Sequence, residues 1–387
     1  MTLSQMISNP NEIQFPKLGW EFEIKPTAFS IGGIDIQWYG IFIALGLALA
    51  VLYCFPRMKR FGIDADRAID AVLGGVIGGI VGARLYYVIF NWSEYKSDSF
   101  KDTILAIINT RNGGLGIYGG LIGALIVGLL ICKIKKIKML PMLDVAVMGF
   151  LIGQGIGRWG NFVNQEAFGV NTNSFLGMTG GRIQQVINAE MQVGGSMYEN
   201  GLEMVWSDPV HPCFLYESIW CLLGFALLAF WSKRRRYDGQ LLLMYMAWYG
   251  LERAVVEGLR TDSLMIGSIR VSQALSIVIF IVSVLLQIII GFRVKRDPES
   301  FVLYASTEES RMLIEETRRK SMKGMGIPDD DDDDEIGILD EEDDDDEIGI
   351  LDDEDDDDNS DDEETDDDSE DSDDSDDSDS DSDSDDD

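Results

Sequence analysis

Seven apolar stretches, each close to the roughly 20 residues that cross a bilayer, constrain this chain more than anything else in it. They fall at about 36–55, 68–90, 114–132, 143–156, 214–231, 240–257 and 271–291. Basic clusters separate them in alternation. Arg57, Lys59, Arg60 and Arg67 follow the first stretch, and Lys133, Lys135, Lys136 and Lys138 the third. Lys233, Arg234, Arg235 and Arg236 follow the fifth, and Arg293, Lys295 and Arg296 the seventh. Lys and Arg concentrate on the cytoplasmic side of membrane proteins, and one orientation puts all four clusters there. The expectation is an all-α polytopic membrane protein of about seven transmembrane helices, N-terminus outside and C-terminus cytoplasmic. Residues 1–35 then form an extracytoplasmic segment. They lack the basic start and early apolar block of a signal peptide, and an interfacial helix is expected around "PKLGWEFEI".

The net charge of −37 hides two chemistries. Residues 329–387 hold 41 of the 68 acids and no Lys or Arg, leaving 27 acids against 31 bases in the rest. Such a polyanion cannot bury a core, so a disordered acidic tail is expected. Its repeated "DDEIGILD" lacks the alternating ligands and central glycine of an EF-hand. Residues 292–328 read as a basic, amphipathic cytoplasmic linker, residues 36–291 as the membrane domain, and 160–212 as a small extracytoplasmic cap. None of the four cysteines forms a CxxC pair, which argues against a disulfide framework or zinc site. One histidine, His211, rules out multi-histidine metal sites.

In this topology Arg84, Arg158 and Arg253 all fall in the outer half of the membrane. Charge at that depth is costly without a partner, and guanidinium forks match phosphate oxygens. A phospholipid headgroup is the natural anion. In "GRWGNFVNQEAFG", Arg158 and Asn161 share a helical face, with Asn164 and Glu166 on a following turn; the plainer reading is a hydrated helix cap. In "YGLERAVVEGLR", Arg253, Glu257 and Arg260 share a face, and an ion pair pinning the bundle is equally compatible. In "HPCFLYE", His211 and Pro212 open the fifth stretch, Tyr216 and Glu217 lie a turn inside, and Cys213 reads as a packing residue. The glycines of "GGVIGGIVGAR" and "GGLGIYGGLIG" suit close helix packing or room for a lipid.

Together these motifs, with "WYG", "GAR" and "RVSQALS", resemble in order the prolipoprotein diacylglyceryl transferase family, over roughly residues 33–291. The resemblance implies transfer of the diacylglyceryl group of phosphatidylglycerol to the lipobox cysteine of a prolipoprotein. The products are a thioether and glycerol 1-phosphate. It places the protein in a bacterial cell membrane and calls for no metal or cofactor and no nucleic-acid partner. It assigns Arg158 and Arg253 to the lipid phosphate. Asn161, Glu166 and Gly169 complete the signature, and Tyr39, Glu257, Arg260 and Arg84 line the site. Gly119 and Gly120 belong to the headgroup region. Tyr118 stands where some members carry a histidine assigned as base, and a tyrosine with its ordinary pKa near 10 is a poor base at neutral pH. The rival classes are a lipid-binding protein or transporter, which would show paired broken helices, and an intramembrane protease, which would need a Ser–His or Asp–Asp pair.

Overall fold

The computed structural model describes residues 8–96, 99–109, 113–195, 197, 201–267 and 269–324; the acidic tail at 329–387 lies outside them. Most of the described chain is helical. α1 (Trp38–Arg57) ends in a 3₁₀ turn at Met58–Phe61. α2 (Ala65–Phe90) starts from Asp64, whose carboxylate accepts the Arg67 N–H at 2.9 Å, as an N-cap should. After two short helices, α3 (Trp92–Tyr95) and α4 (Phe100–Ile108), come α5 (Ile117–Ile134) and α6 (Met139–Asn164). α7 (Gly181–Val193) lies in the following loop. α8 (Cys213–Ser232), α9 (Gln240–Leu259), α10 (Val271–Arg296) and α11 (Glu308–Gly324) complete the order.

Six of these helices, α1, α2, α5, α6, α8 and α10, are long and apolar enough to cross a membrane. Their outer faces expose large apolar side chains such as Leu52, Ile77, Ile89 and Ile126. α9 has the length, at 20 residues, but Glu252, Arg253 and Glu257 interrupt its apolarity. α9 nevertheless packs against α6, α8 and α10. Its start is capped from outside: Asp144, buried on α6, accepts the N–H of Gly239 at 2.7 Å and of Leu242 at 2.8 Å.

α6 is the central helix, with 56% of its most apolar window buried. It is also longer than the expected 143–156, because it starts at Met139 and runs on through "GRWGNFVN". Pro141 is tolerated in its first turn, where backbone N–H groups lack helical partners anyway. Arg158 therefore sits inside the helix rather than at its mouth.

α2 packs on α5 through glycines. A Cβ on Gly82 would sit 2.9 Å from the Gly123 Cα and closer still to the Gly119 carbonyl. Only hydrogen fits there, so the small-residue reading holds for this pair.

Residues 8–37 are not helical. β1 (Glu12–Phe15) and β2 (Trp20–Glu23) form a hairpin, and β3 (Thr27–Ile31) and β4 (Ile34–Gln37) form another. This corrects the expected interfacial helix and the purely all-α class. "WEFEI" alternates Trp20, Phe22 and Ile24 with Glu21 and Glu23, a period of two that suits a strand, and Gly19 (φ 68°) supplies the turn. β1 also pairs with β5 (Thr179–Gly180) from the loop after α6. This sheet, α7 and that loop share a core of Ile13, Phe15, Met178, Ile183, Ile187 and Val210, seated on Phe162 and Phe214.

The opposite end carries the basic clusters. A second core there joins Met58, Phe61, Ile63, Met148, Leu228 and Leu241. The chain after α10 folds back over this end. The Tyr304 N–H donates to Asp238 at 2.8 Å, and the buried Ser310 hydroxyl donates to the Gly62 carbonyl at 2.9 Å. Glu316 pairs with Arg67 at 3.2 Å and Glu309 with Lys138 at 3.0 Å. At Gly62 (φ 73°) a Cβ would lie 2.7 Å from the Ala305 Cα, so glycine is required twice over. The expected linker is thus a strap bound to three interhelical turns.

Candidate active site

The site gathers on a residue that the sequence reading left aside. Glu217, in the second turn of α8, is 1% exposed. Its carboxylate lies 2.8 Å from Arg158 Nη1 of α6, 3.0 Å from Arg253 Nη1 of α9, and 3.6 Å from Arg260 Nη1 just beyond α9. Arg253 reaches a second carboxylate, Glu257, at 2.5 Å one helical turn on, the pairing that the spacing of four anticipates. Arg260 forks onto Asp262 at 2.8 and 2.6 Å. Burial alone would raise the pKa of Asp262, but the Arg260 hydrogen bonds outweigh it and hold the carboxyl below its usual range.

The three arginines differ in how their donors are used. Arg253 donates to Glu217 and Arg260 to Asp262. Arg158 lies close to Glu217 but, among the described residues, donates no hydrogen bond. Its N–H groups therefore remain available to a further acceptor. Glu252, one residue before Arg253, is also buried, and its Oε1 accepts no hydrogen bond.

The chain around the cluster is held in unusual backbone. α6 ends at Gln165 (φ 54°), and Ala167 (φ 56°) follows two residues later, both left-handed without being glycine. Such strain persists where surroundings enforce it. Here the buried Gln165 side chain accepts the Arg182 N–H at 3.0 Å and donates to the Pro10 carbonyl at 2.7 Å. The turn presents Glu166, which accepts from Asn161 at 2.9 Å and Asn164 at 3.3 Å. Gly169 then bridges to Arg260, and a Cβ there would lie 2.8 Å from the His211 Cβ. The Val170 N–H bonds the Leu259 carbonyl at 2.8 Å, fixing the end of α9. The Tyr39 ring of α1 lies across Gly160 on α6.

The structure therefore brings Arg158, Arg253, Arg260 and Glu257 into one cluster, with Asn161, Glu166, Gly169 and Tyr39 on the adjoining turns. It does not bring Arg84 there. All five Arg84 N–H groups donate to carbonyls, those of Ala106, Ile107, Asn109, Gly113 and Gly114, at 2.7–3.0 Å. That arginine ties the α4 end to α2. Gly119 and Gly120 lie where α5 meets α2. The Tyr118 hydroxyl pairs with Ser272 of α10 at 3.2 Å. His211 touches Tyr216 at 3.2 Å, and burial lowers its pKa. The four cysteines are buried free thiols.

A bundle of helices long and apolar enough to span a membrane, with an arginine–carboxylate cluster where α6, α8 and α9 meet, defines the class as a polytopic membrane protein. The family model of prolipoprotein diacylglyceryl transferase matches residues 26–289. The chain is 43% identical over 263 residues to the phosphatidylglycerol–prolipoprotein diacylglyceryl transferase of Finegoldia magna, covering 68% of this chain and 94% of that one. It is 42% identical over 269 residues to the Lactiplantibacillus plantarum protein of that name, covering 68% and 89%. To the Clostridioides difficile protein it is 39% identical over 252 residues, covering 65% and 90%. The chain belongs to the prolipoprotein diacylglyceryl transferase family, which makes it a transferase of lipoprotein biosynthesis. The match ends inside α10, so the strap at 297–324 lies beyond it.

Proposed function

We propose that this protein transfers the diacylglyceryl group of phosphatidylglycerol to the lipobox cysteine thiol of a prolipoprotein, the first step of bacterial lipoprotein maturation. The observation that carries the mechanism is Arg158: paired in charge with Glu217, yet donating no hydrogen bond among the described residues. A phosphodiester that accepts from this fork and from Arg253 is held bidentately. The thiolate attacks the glyceryl carbon, the carbon–oxygen bond to phosphate breaks, and glycerol 1-phosphate departs with a second negative charge. Arginines already aimed at that phosphate stabilise the charge as it develops. Glu217 and Glu257 hold the two guanidinium groups in place, and Asn161 and Glu166 border the same turn. The chemistry needs no nucleophile from the protein, because the peptide brings its own. A general base takes the thiol proton, a role to which a tyrosine hydroxyl such as that of Tyr118 is poorly suited.

In this reading α9 is the seventh span, made polar by the groups it carries. The hairpin end faces outside, and the strap and acidic tail are cytoplasmic. Cysteines introduced at Asn173 and Arg235 then label from opposite faces of intact membranes. The decisive assay incubates the purified protein with headgroup- and glycerol-labelled phosphatidylglycerol and a peptide ending its apolar run in cysteine. Label from the diacylglyceryl moiety appears on the peptide and glycerol phosphate in solution. Arg158→Lys and Arg253→Lys keep the charge but lose the planar fork, and each lowers the rate by roughly a hundred- to a thousandfold. Lipid binding without transfer would favour a lipid-binding protein instead, and lysine variants at near wild-type rates would remove the phosphate clamp.

A further inference from the structure

A cavity of about 660 Å³ opens between the N-terminal hairpins and helices α1 and α6. That volume lies within the range of ligand sites, roughly 300–1,000 Å³. Its floor is aromatic: Trp38 and Phe42, one turn apart on α1, face Trp159 and Phe162, three apart on α6. Its rim is polar, with Glu23 and Lys25 at the end of β2.

Three features give this cavity a function. The first is its position. Trp159 directly follows Arg158, Phe162 directly follows Asn161, and Trp38 directly precedes Tyr39, so the cavity and the arginine cluster are built on the same turns of the same helices. Trp159 is further fixed by its indole N–H, which donates to Ser218 at 3.2 Å, one residue after Glu217. The second is the strand whose last residue, Glu23, lines it. β2 is the outermost strand of its sheet, paired with β1 on one edge only. An extended peptide gains main-chain hydrogen bonds from such an edge, whereas an acyl chain gains none. The third is the mixed lining. An aromatic floor with one acidic and one basic group at the rim suits a segment that passes from apolar to polar residues. A hydrocarbon chain finds no use for the charged pair.

We propose that this cavity binds the acceptor: the apolar residues next to the reactive cysteine of the protein substrate, in extended form against the β2 edge. The thiol is thereby delivered to the lipid held at Arg158. The proposal rests on the transfer reading above and assigns the peptide a place distinct from the arginine cluster.

Two experiments test it. In the first, a lipobox peptide with its cysteine changed to serine carries a photoreactive phenylalanine analogue one residue before that serine. Irradiated with the wild-type protein in phosphatidylglycerol nanodiscs, it cross-links within residues 23–28, 38–42 or 159–163. This readout needs no transfer. Cross-links at those residues support the site even if the wild type transfers nothing, which would count against the transfer reading alone. Cross-links confined elsewhere overturn the proposal whether or not transfer occurs. In the second, Ala28→Phe, from the lining of the cavity, narrows the space without altering a residue of the arginine cluster. The expected result is a KM for the cysteine peptide raised about tenfold, about 1.4 kcal/mol, with the KM for phosphatidylglycerol within twofold of wild type. A raised KM for the lipid with an unchanged one for the peptide would make the cavity an acyl-chain site and overturn the proposal. No change in either constant would also overturn it. Should Ala28→Phe not fold, the cross-linking decides alone.

Discussion

Glu217→Gln isolates what the buried carboxylate does, because glutamine keeps the shape and removes the charge. Glu217 is 1% exposed, so solvent screening does not discount its interactions. Arg158 and Arg253 lie 2.8 and 3.0 Å from it, and Arg260 lies 3.6 Å away. With an effective dielectric of about 20, a unit-charge pair at such a separation is worth roughly 5 kcal/mol before desolvation. Removing one partner of a buried pair typically costs about 3–5 kcal/mol, because the other charge stays buried. Three cations are affected here, but Glu257 and Asp262 still balance two of them, so the single-pair figure applies. For a chain of this size about 2 °C is lost per kcal/mol, giving a fall of roughly 6–10 °C. The assay is thermal unfolding in one detergent, followed by monomer loss on gel filtration. Arg158 is the cleanest partner for a cycle, since its only ion pair among the described residues is with Glu217. The double variant Glu217→Gln/Arg158→Gln should be more stable than the two single losses predict, by about 1–3 kcal/mol. A fall below about 2 °C for Glu217→Gln, or strict additivity in the cycle, would refute the hub.

Gly123→Val should separate α2 from α5, since a Cβ at Gly123 already overlaps the Gly78 carbonyl; loss of folded monomer on gel filtration measures it, and wild-type stability would contradict the packing described. Ending the chain after Pro328 should leave unfolding temperature and transfer unchanged, whereas ending it after Arg296 removes the strap and should lower the unfolding temperature by several degrees. Asp262 is held below its ordinary value of 3.8, so its contribution is complete above pH 4 and lost as pH falls through the lower folded value. Asp262→Asn should therefore lower the unfolding temperature at pH 7, change it little at pH 2, where the wild-type carboxyl is itself largely protonated, and so flatten the acid dependence of unfolding. Tyr118→Phe should cost less than tenfold in transfer rate, because the hydroxyl's partner is Ser272; a hundredfold loss would give that oxygen the proton-transfer role.

Helix positions were legible because a bilayer-length apolar run leaves few alternatives, and the glycines of α2 and α5 announced a close pair. The limits were physical. The fourth apolar stretch, 143–156 with room to extend through Arg158, ends short of the real helix because polar residues in a periodic pattern mark an end, whereas "GRWGN" continues as helix when neighbouring helices answer its polar groups. The hairpins at 12–37 carried a period of two in "WEFEI", but four-residue strands give little signal beside a membrane-anchored chain. Arg84 shows the same limit from the other side. Depth alone grouped it with Arg158 and Arg253, yet its donors are taken by the carbonyls of a nearby loop, which no sequence spacing reveals.

Glu217 was the residue least accessible to sequence reasoning, and the reason bears on how such a site works. It sits on a helix 59 positions from Arg158 and 36 from Arg253, so no i to i+4 rule connects them. Three arginines at one place in an apolar bundle would repel one another and resist folding without a lipid. A carboxylate placed among them lets the bundle fold before any anion arrives. It also sets how tightly an anion is held. A phosphate entering the cluster adds its charge beside Glu217 rather than to bare cations, so ground-state affinity is tempered. In the proposed reaction, breaking the carbon–oxygen bond adds a second charge to the same phosphate, and the Arg158 fork, which donates no hydrogen bond among the described residues, would gain most at that moment. Binding that strengthens as the bond breaks accelerates the reaction, while equal binding throughout does not. On the proposed mechanism, the carboxylate that balances the arginines in the bundle would thus also reserve their strongest interaction for the departing phosphate.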